Sequence, residues 1–344
     1  MDDMNAVVLT VVVPVYNAER YLDRCLDSLV KQWNSHEGYE ILCINDGSTD
    51  KSYEILLRYA TMYPEYIRII NQENKGIIAA RNRGIKEAKG EIIAFCDDDD
   101  FLKSGAYQYL YDQFWNDNID VVSFYSITLD RYVLKKWKET TELYGEIVFQ
   151  GTGREYYQRG RQMFVWNQLY RKEFLVKNNI EFTIPRYEDV QFNMDVYMHN
   201  PNVIVTNACL YRYTVNPEQT TKKRSACVYR IIVDSVLSLT DSIEKYKGQC
   251  GKDEEELKSN LDKIKDEMAV RCLIKGLGGM YLKYEYSTLM VKLQERAFLP
   301  IRHIGGKQAF LLNNIYKSYF SYKIASWLYR KVFVPYVIPR LAQN

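Results

Sequence analysis

Leu9 to Val15 is a β-branched run closed by Pro14 and Asn17, the pattern of a fully buried strand. From Glu19 to Gln32, Tyr21, Leu22, Cys25, Leu26, Leu29 and Val30 recur at helical spacing. Glu40 to Asn45 predicts a second buried strand, ending at Asp46-Gly47-Ser48-Thr49-Asp50. A helix over Lys51–Tyr63 follows, with Thr49 or Asp50 as its cap. Ile67–Asn71 predicts a short third strand, Gly76–Lys89 a helix and Glu91–Cys96 a fourth strand. That strand runs straight into Asp97-Asp98-Asp99-Asp100. Strands alternating with helices imply βαβ units, and so an α/β fold with a doubly wound, mostly parallel sheet. Ligands of such sheets bind at the carboxyl ends of the strands, where each of these polar clusters falls.

Beyond about residue 120 the pattern is mixed. Asp120–Tyr125 predicts a strand, Leu129–Phe149 strands or a hairpin, and Val165–Asn178 a helix followed by an extended piece to Pro185. Val190–Met198 is helical in pattern and Val203–Tyr213 resembles a strand pair or an edge. From Ser225 onward the chain reads as mainly helical, with a charged, solvated stretch between Asp241 and Glu267. The expected division is an α/β domain over 1–220 and a helical extension over 221–344. There is no internal repeat and no low-complexity linker.

Composition narrows the class. The content of 47% hydrophobic and 26% charged residues is that of a globular protein, not a disordered or fibrous one. A net charge of +2 is too balanced for nucleic-acid binding through bulk charge. Thirty tyrosines suit sugar-stacking faces and membrane interfaces, and compositional bias explains them equally well. The seven cysteines contain no CxxC pair, and Cys43 and Cys96 sit in apolar runs, so buried small hydrophobes are expected rather than a disulfide framework or zinc site. The acidic Met1–Met4 does not read as a signal peptide, and no apolar run reaches the roughly 18 residues that span a bilayer. After Glu295 no acidic residue occurs, while basic residues interleave with Tyr316, Tyr319, Phe320, Trp327 and Phe333. Residues 296–344 therefore suggest a surface for an anionic leaflet, with a docked terminal helix or an oligomer contact as the plainer alternatives. The expected location is cytoplasmic, peripheral on the inner face of the cell membrane.

Four adjacent aspartates after a buried strand repel one another and raise one another's pKa. A divalent cation removes that cost, and hard oxygen ligands suit Mn²⁺ or Mg²⁺. The plain alternative is a solvated acidic turn, which the preceding strand and the companion Asp46 argue against. Taken in order, Val11-Val12-Val13-Pro14-Val15-Tyr16-Asn17, Asn45-Asp46-Gly47-Ser48-Thr49-Asp50, Asn74-Lys75-Gly76 with Ala80-Arg81-Asn82-Arg83-Gly84, and Phe95-Cys96-Asp97-Asp98-Asp99-Asp100 resemble the successive signatures of the family 2 glycosyltransferases. The resemblance covers roughly residues 8 to 217. It implies the GT-A fold, a metal, a nucleotide-diphosphate sugar donor and inversion at the anomeric carbon.

On that resemblance Pro14, Tyr16 and Glu19 would line the nucleoside pocket, and Asp46 would accept the uracil N3–H. Arg81 would reach toward the base or the diphosphate. Asp97 would lie near the ribose and Asp99 would bind the metal, with Asp98 at the variable position and Asp100 extending the motif. An inverting transfer also needs a carboxylate to take the acceptor proton. Tyr187-Glu188-Asp189-Val190 fits the family's Glu-Asp pair at a helix start, with Asp189 as base and Glu188 as its orienting partner. Standing alone, that pair would be read as complementing a helix dipole. Trp166 and Asn167 resemble a segment beside the sugar, where Trp166 could stack on a sugar or be a core residue. Tyr211-Arg212-Tyr213 and the loop over 216–224 resemble the region where family members close over the diphosphate, with Arg212 as a candidate contact and Lys222, Lys223 and Arg224 as cations; a solvated basic loop is the alternative. The implied partners are a UDP-sugar and a glycan or lipid-linked acceptor in surface polysaccharide assembly, with no nucleic acid and oligomeric state open. The alternative is a non-catalytic nucleotide-sugar-binding subunit docking at the membrane.

Overall fold

Val11, Val12, Val13 and Val15 have no exposed surface because β1 (Leu9–Val15) lies inside a sheet with a parallel partner on each side. Those partners are β2 (Tyr39–Asp46) and β4 (Ile92–Phe95), and β3 (Ile67–Gln72) pairs in parallel beyond β2. The computed structural model describes residues 7–33, 38–128, 143–159, 164–214, 226–279, 283–295 and 318–328. The chain divides into two units, Met1–Thr183 with Glu188–Pro217, and Ile184–Tyr187 with Glu218–Asn344.

In the first unit, helices α1 (Leu22–Leu29), α2 (Ser52–Met62) and α3 (Ile77–Glu87) connect the parallel strands. The N-cap of α2 is Lys51, with no side-chain cap bond, rather than Thr49 or Asp50, although Asp50 accepts the Ser52 N–H at 3.0 Å. Helix α3 packs so tightly on β1 that a Cβ at Gly84 would lie 2.1 Å from Val12 Cγ1. This close approach fixes the depth at which Arg81, one turn earlier, enters the molecule.

Past β4 the sheet becomes mixed. Its order is β3-β2-β1-β4-β8-β6-β9-β5, with β7 paired to β9. The added strands are β5 (Phe101–Leu102), β6 (Val121–Thr128), β7 (Ile147–Thr152), β8 (Gln168–Arg171) and β9 (Asn202–Tyr213). Short helices α4 (Ala106–Phe114), α5 (Gly153–Tyr157) and α6 (Lys172–Lys177) and the longer α7 (Glu188–Met198) complete the unit. The helix expected over Val165–Asn178 is instead a 3₁₀ turn, strand β8 and the short α6. Strand β8 fills the gap between β4 and β6 by pairing antiparallel with both, so sheet hydrogen bonds override the helical spacing. The expected strand pair over Val203–Tyr213 is one strand, and residues 129–142 of the expected hairpin lie outside the described residues.

The second unit contains α8 (Ala226–Gln249), α9 (Glu255–Gly279), α10 (Lys283–Glu295) and α11 (Tyr319–Leu328). The charged stretch expected to be solvated is partly internal. Lys265, buried, donates to Glu244 at 2.6 Å, and Lys247 to Asp262 at 2.6 Å, tying α8 to α9. No described helix is long and apolar enough to cross a membrane. Most of the basic aromatic tail lies outside the described residues.

Away from the strands' carboxyl ends, one buried carboxylate holds the sheet together. Glu40 accepts from Thr10 Oγ1 at 2.6 Å, Arg68 Nε at 2.7 Å and the Lys89 N–H at 3.0 Å. Burial acts to raise its pKa, but these donors, Arg68 first, hold it below the usual carboxylate value. Its stabilising effect is therefore complete above its unfolded-state pKa and is lost as pH falls through the folded one. Glu40→Gln is expected to cost about 2 kcal/mol in denaturant unfolding at pH 7, and the difference from wild type should shrink toward pH 3.

Candidate active site at the strand carboxyl ends

The loops that leave β1 and β2 are bonded to each other residue by residue. Asn17 N–H donates to Ser48 Oγ, Ala18 N–H to Ser52 Oγ and Glu19 N–H to Asp50 Oδ2, at 3.1, 2.8 and 3.0 Å. In return the Thr49 and Lys51 N–H groups donate to Asn17 Oδ1 and Glu19 Oε2. Asn17 adopts a left-handed φ of 54°, a conformation that asparagine tolerates. Pro14 lies in β1 opposite Ile44, and Tyr16 projects outward with 49% of its surface exposed. The residues expected around a nucleoside thus form one rim, with Glu19 serving to join the loops.

Asp46 closes that rim on the β3 side. Its Oδ1 accepts from Gln72 Nε2 at 2.7 Å and the Lys75 N–H at 2.9 Å, and its Oδ2 from the Gly76 N–H at 2.8 Å. A carboxylate with about four acceptor positions keeps one on Oδ2. Gly47 is required beneath it: φ is 69°, and a Cβ would sit 2.8 Å from the Asn74 nitrogen.

The four aspartates diverge from their shared turn. Asp97 Oδ1 accepts from Arg81 Nη2 at 2.9 Å, while Asp98 Oδ2 accepts the Tyr16 N–H at 3.1 Å. Asp100 has no exposed surface and accepts from Tyr211 OH at 2.8 Å and the Thr214 N–H at 2.7 Å. Burial, then repulsion from Asp97 and Asp99, pushes Asp100 up to about 9 against those two donors. Burial likewise holds Asp98 well above the usual range, with the Tyr16 N–H opposing and the charges of Asp99 and Asp97 adding.

Arg81 joins this turn to the predicted base. Its Nη1 lies 2.7 Å from Asp189 Oδ1 and 3.5 Å from Glu188 Oε1, and its guanidinium sits 5.3 Å from the Phe182 ring centroid. Only 3% of Arg81 is exposed. Burial opposes its charge, but Asp189, Asp97 and Glu188 outweigh that and raise its pKa. Asp189 is pushed up to about 7 by burial, with Arg81 lowering it and Glu188 and Asp97 raising it. The side chain expected to reach for the donor is therefore mostly committed inward. Its Nε–H has no acceptor among the described residues, which costs about 1–3 kcal/mol unless water or a ligand oxygen supplies one.

Helix α7 presents Glu188 and Asp189 because its far side is anchored. Asn193 Oδ1 accepts from Gln168 Nε2 and Tyr170 OH, and Tyr197 OH donates to Gln168 Oε1. Phe192 stacks on Phe182 at 4.1 Å, and Asn82 clamps the Phe182 backbone through two 2.9 Å bonds. Sequence inspection missed these supports, although Asn82 stands beside Arg81 in the third motif.

Other expected contacts lie elsewhere. Trp166 stacks on Tyr211 at 4.4 Å and Phe164 at 4.7 Å and is 5% exposed, so it is the core residue of its two readings. Asn167 is spent within the fold, donating to Phe124 O and accepting the Phe164 N–H. Arg212, expected at the diphosphate, has no exposed surface, and its guanidinium lies 5.7 Å from the Phe101 ring centroid. Lys222 lies outside the described residues. A cleft between α3 and residues 175–181 is lined by Arg83, Lys86, Leu175 and Val176, away from the acidic turn.

Among the described residues no three His, Cys, Asp or Glu side chains converge as a metal cage. Asp97, Asp98 and Asp100 are each held by a donor from the protein, so a cation here would take few protein oxygens and need others from a ligand. The donor set fits a divalent ion in that sense. Its oxygens are hard, and a bound cation would oppose the repulsion among the aspartates that adds to burial in raising Asp98 and Asp100.

Residues 10–179 match the family model for glycosyl transferase family 2. This segment, just under half of the chain, is of that family. The chain is 34% identical over 230 residues to a Bacillus subtilis protein named uncharacterized glycosyltransferase EpsJ, covering 62% of this chain and 63% of that one. It is 34% identical over 216 residues to poly(ribitol-phosphate) beta-glucosyltransferase of Bacillus spizizenii, covering 60% of this chain and 32% of that one. The chain thus spans less than two thirds of the length of these curated relatives. Its fold resembles S. aureus TarS 1-349, solved in complex with UDP-GlcNAc, with a TM-score of 0.65 at 18% identity over 94% of this chain and 92% of that one.

Removing the central cation should expose the repulsion it masks. Arg81→Met is expected to cost about 3 kcal/mol in denaturant unfolding. Combined with Asp189→Asn the loss should be smaller than the sum of the two single losses.

Proposed function

We propose that this chain is an inverting glycosyltransferase that moves a sugar from a UDP-sugar to a hydroxyl of a glycan or lipid-linked oligosaccharide in surface polysaccharide assembly. The observation that carries the proposal is the shared guanidinium of Arg81, 2.9 Å from Asp97 Oδ1 and 2.7 Å from Asp189 Oδ1. One residue type comes from the donor motif and the other from the candidate base, and a single side chain spans both. The complex of TarS with UDP-GlcNAc and the relative named for glucosylation of poly(ribitol phosphate) support the donor and the polymer class.

Asp189 takes the proton of the attacking hydroxyl, and Glu188 shares its cation and orients it. A carboxylate poised near neutrality is matched to that task. Asp46 offers its remaining Oδ2 position to one ring N–H, the arrangement that uracil satisfies. Pro14, Tyr16 and Glu19 form the nucleoside rim, Asp98 fastens that rim to the acidic turn, and Asp97 stands on the ribose side. Asp99 would hold Mn²⁺ or Mg²⁺, which offsets charge on the leaving diphosphate. Catalysis belongs to residues 1–220. The basic aromatic residues 296–344 would rest on the inner membrane face, so the full chain should sediment with anionic but not neutral vesicles.

The test is a thermal-shift panel of UDP, GDP, CDP and dTDP with and without Mn²⁺, on wild type and Asp99→Ala. A ligand at about 100 times its Kd adds ~2.7 kcal/mol of stability. Stabilisation by UDP that needs the metal and vanishes in Asp99→Ala is expected; no stabilisation by any nucleotide would remove the catalytic reading. With a turned-over UDP-sugar, the rate should fall about tenfold per pH unit below about 7. The sign follows from the role, since protonated Asp189 cannot accept a proton. In Asp189→Asn that limb should disappear along with most of the activity, while UDP binding persists.

A further inference from the structure

Among the described residues, Arg24, Arg81 and Arg212 approach the acidic turn, and they differ in what they have left to offer. Arg81 has both terminal nitrogens on carboxylates, and Arg212 has no exposed surface. Arg24 is exposed in the first turn of α1. Its Nη2 donates to the Asp99 carbonyl at 2.8 Å and to Thr214 Oγ1 at 2.9 Å, and its guanidinium lies 4.4 Å from the Phe101 ring centroid. Those two bonds use both Nη2 hydrogens. No bond or ion pair of Nη1 or Nε, and no carboxylate partner, occurs among the described residues.

We infer that Arg24 contacts the diphosphate of the donor nucleotide, a role that rests on the nucleotide-sugar reading of the site. The two Nη2 bonds and the ring fix the guanidinium before any ligand arrives, so little rotamer freedom is lost on binding. Nη1 and Nε keep three N–H donors between them, each able to take a phosphate oxygen singly. The bond to the Asp99 carbonyl holds this cation beside the residue proposed to carry the metal, so a diphosphate there would meet positive charge from two sides. The cationic role expected of Arg212 then falls to a residue on α1 that belongs to none of the four motifs.

Calorimetric titration of the full chain with UDP and with uridine, both in Mn²⁺, separates a phosphate contact from a structural brace. Arg24→Gln should weaken UDP by about tenfold or more, the loss of one charge-assisted contact, and leave uridine, measured by competition with UDP, unchanged. Arg24→Lys, which keeps the charge but loses the planar donors and their bonds to the Asp99 carbonyl and Thr214, should fall between wild type and Arg24→Gln. Unchanged UDP affinity in Arg24→Gln would overturn the inference. So would an equal loss for UDP and uridine, which would mean that the turn had moved. Wild type that binds no UDP would instead reject the nucleotide reading on which the inference stands.

Discussion

The site depends on burying a guanidinium among three carboxylates. Desolvating Arg81 is unfavourable by several kcal/mol unless charge is close at hand, and Asp97, Asp189 and Glu188 supply it from two separate elements. The interaction is reciprocal: without Arg81, the raised pKa of Asp189 has nothing to counter burial and two like neighbours. Bringing β4's acidic turn to the start of α7 is therefore an electrostatic requirement of the fold, and it is the arrangement on which the proposed transfer rests. The tight packing of α3 at Gly84 and the Asn82 clamp on Phe182 set the geometry that makes this burial possible.

Around that centre the protein builds a rim from loops that would be mobile alone. The β1 and β2 loops satisfy one another's backbone groups through Asn17, Ser48, Glu19 and Asp50. Asp98 and Asp100 then attach the acidic turn to the β1 loop and to the end of β9. The four consecutive aspartates are thus divided in what they bind: Asp100 is a buried brace, Asp98 a backbone tether, and Asp97 the link through Arg81 to Asp189. Their divergence, with burial holding Asp98 and Asp100 well above the usual carboxylate range, explains how one turn carries four aspartates without a ready-made metal cage.

The parallel half of the sheet is legible because continuous β-branched runs such as Val11–Val13 have few other uses, and turn residues mark each carboxyl end. The mixed half is not, because β8 owes its strand form to partners on both sides that local spacing does not encode. Asp46, Asp97, Glu188 and Asp189 stand out in sequence as carboxylates at element ends. The direction of Arg81 does not, since a surface helix charge and a buried hub look alike along the chain. Arg24 leaves no signature either, because its significance comes from the Asp99 carbonyl and Phe101, contacts across 75 positions and more. Trp166 and Asn167 mislead for the same reason: an aromatic beside an amide suits a sugar or a core, and only packing distinguishes them.

The central claim is that Asp189 deprotonates an incoming hydroxyl for a single in-line displacement. The most direct measurement is proton NMR of the first product formed from an α-linked UDP-sugar, with a sugar acceptor or water, read before mutarotation. A β-configured product at the new anomeric centre is the result this account predicts. An α-configured product, formed by wild type with Asp189 intact, would contradict it.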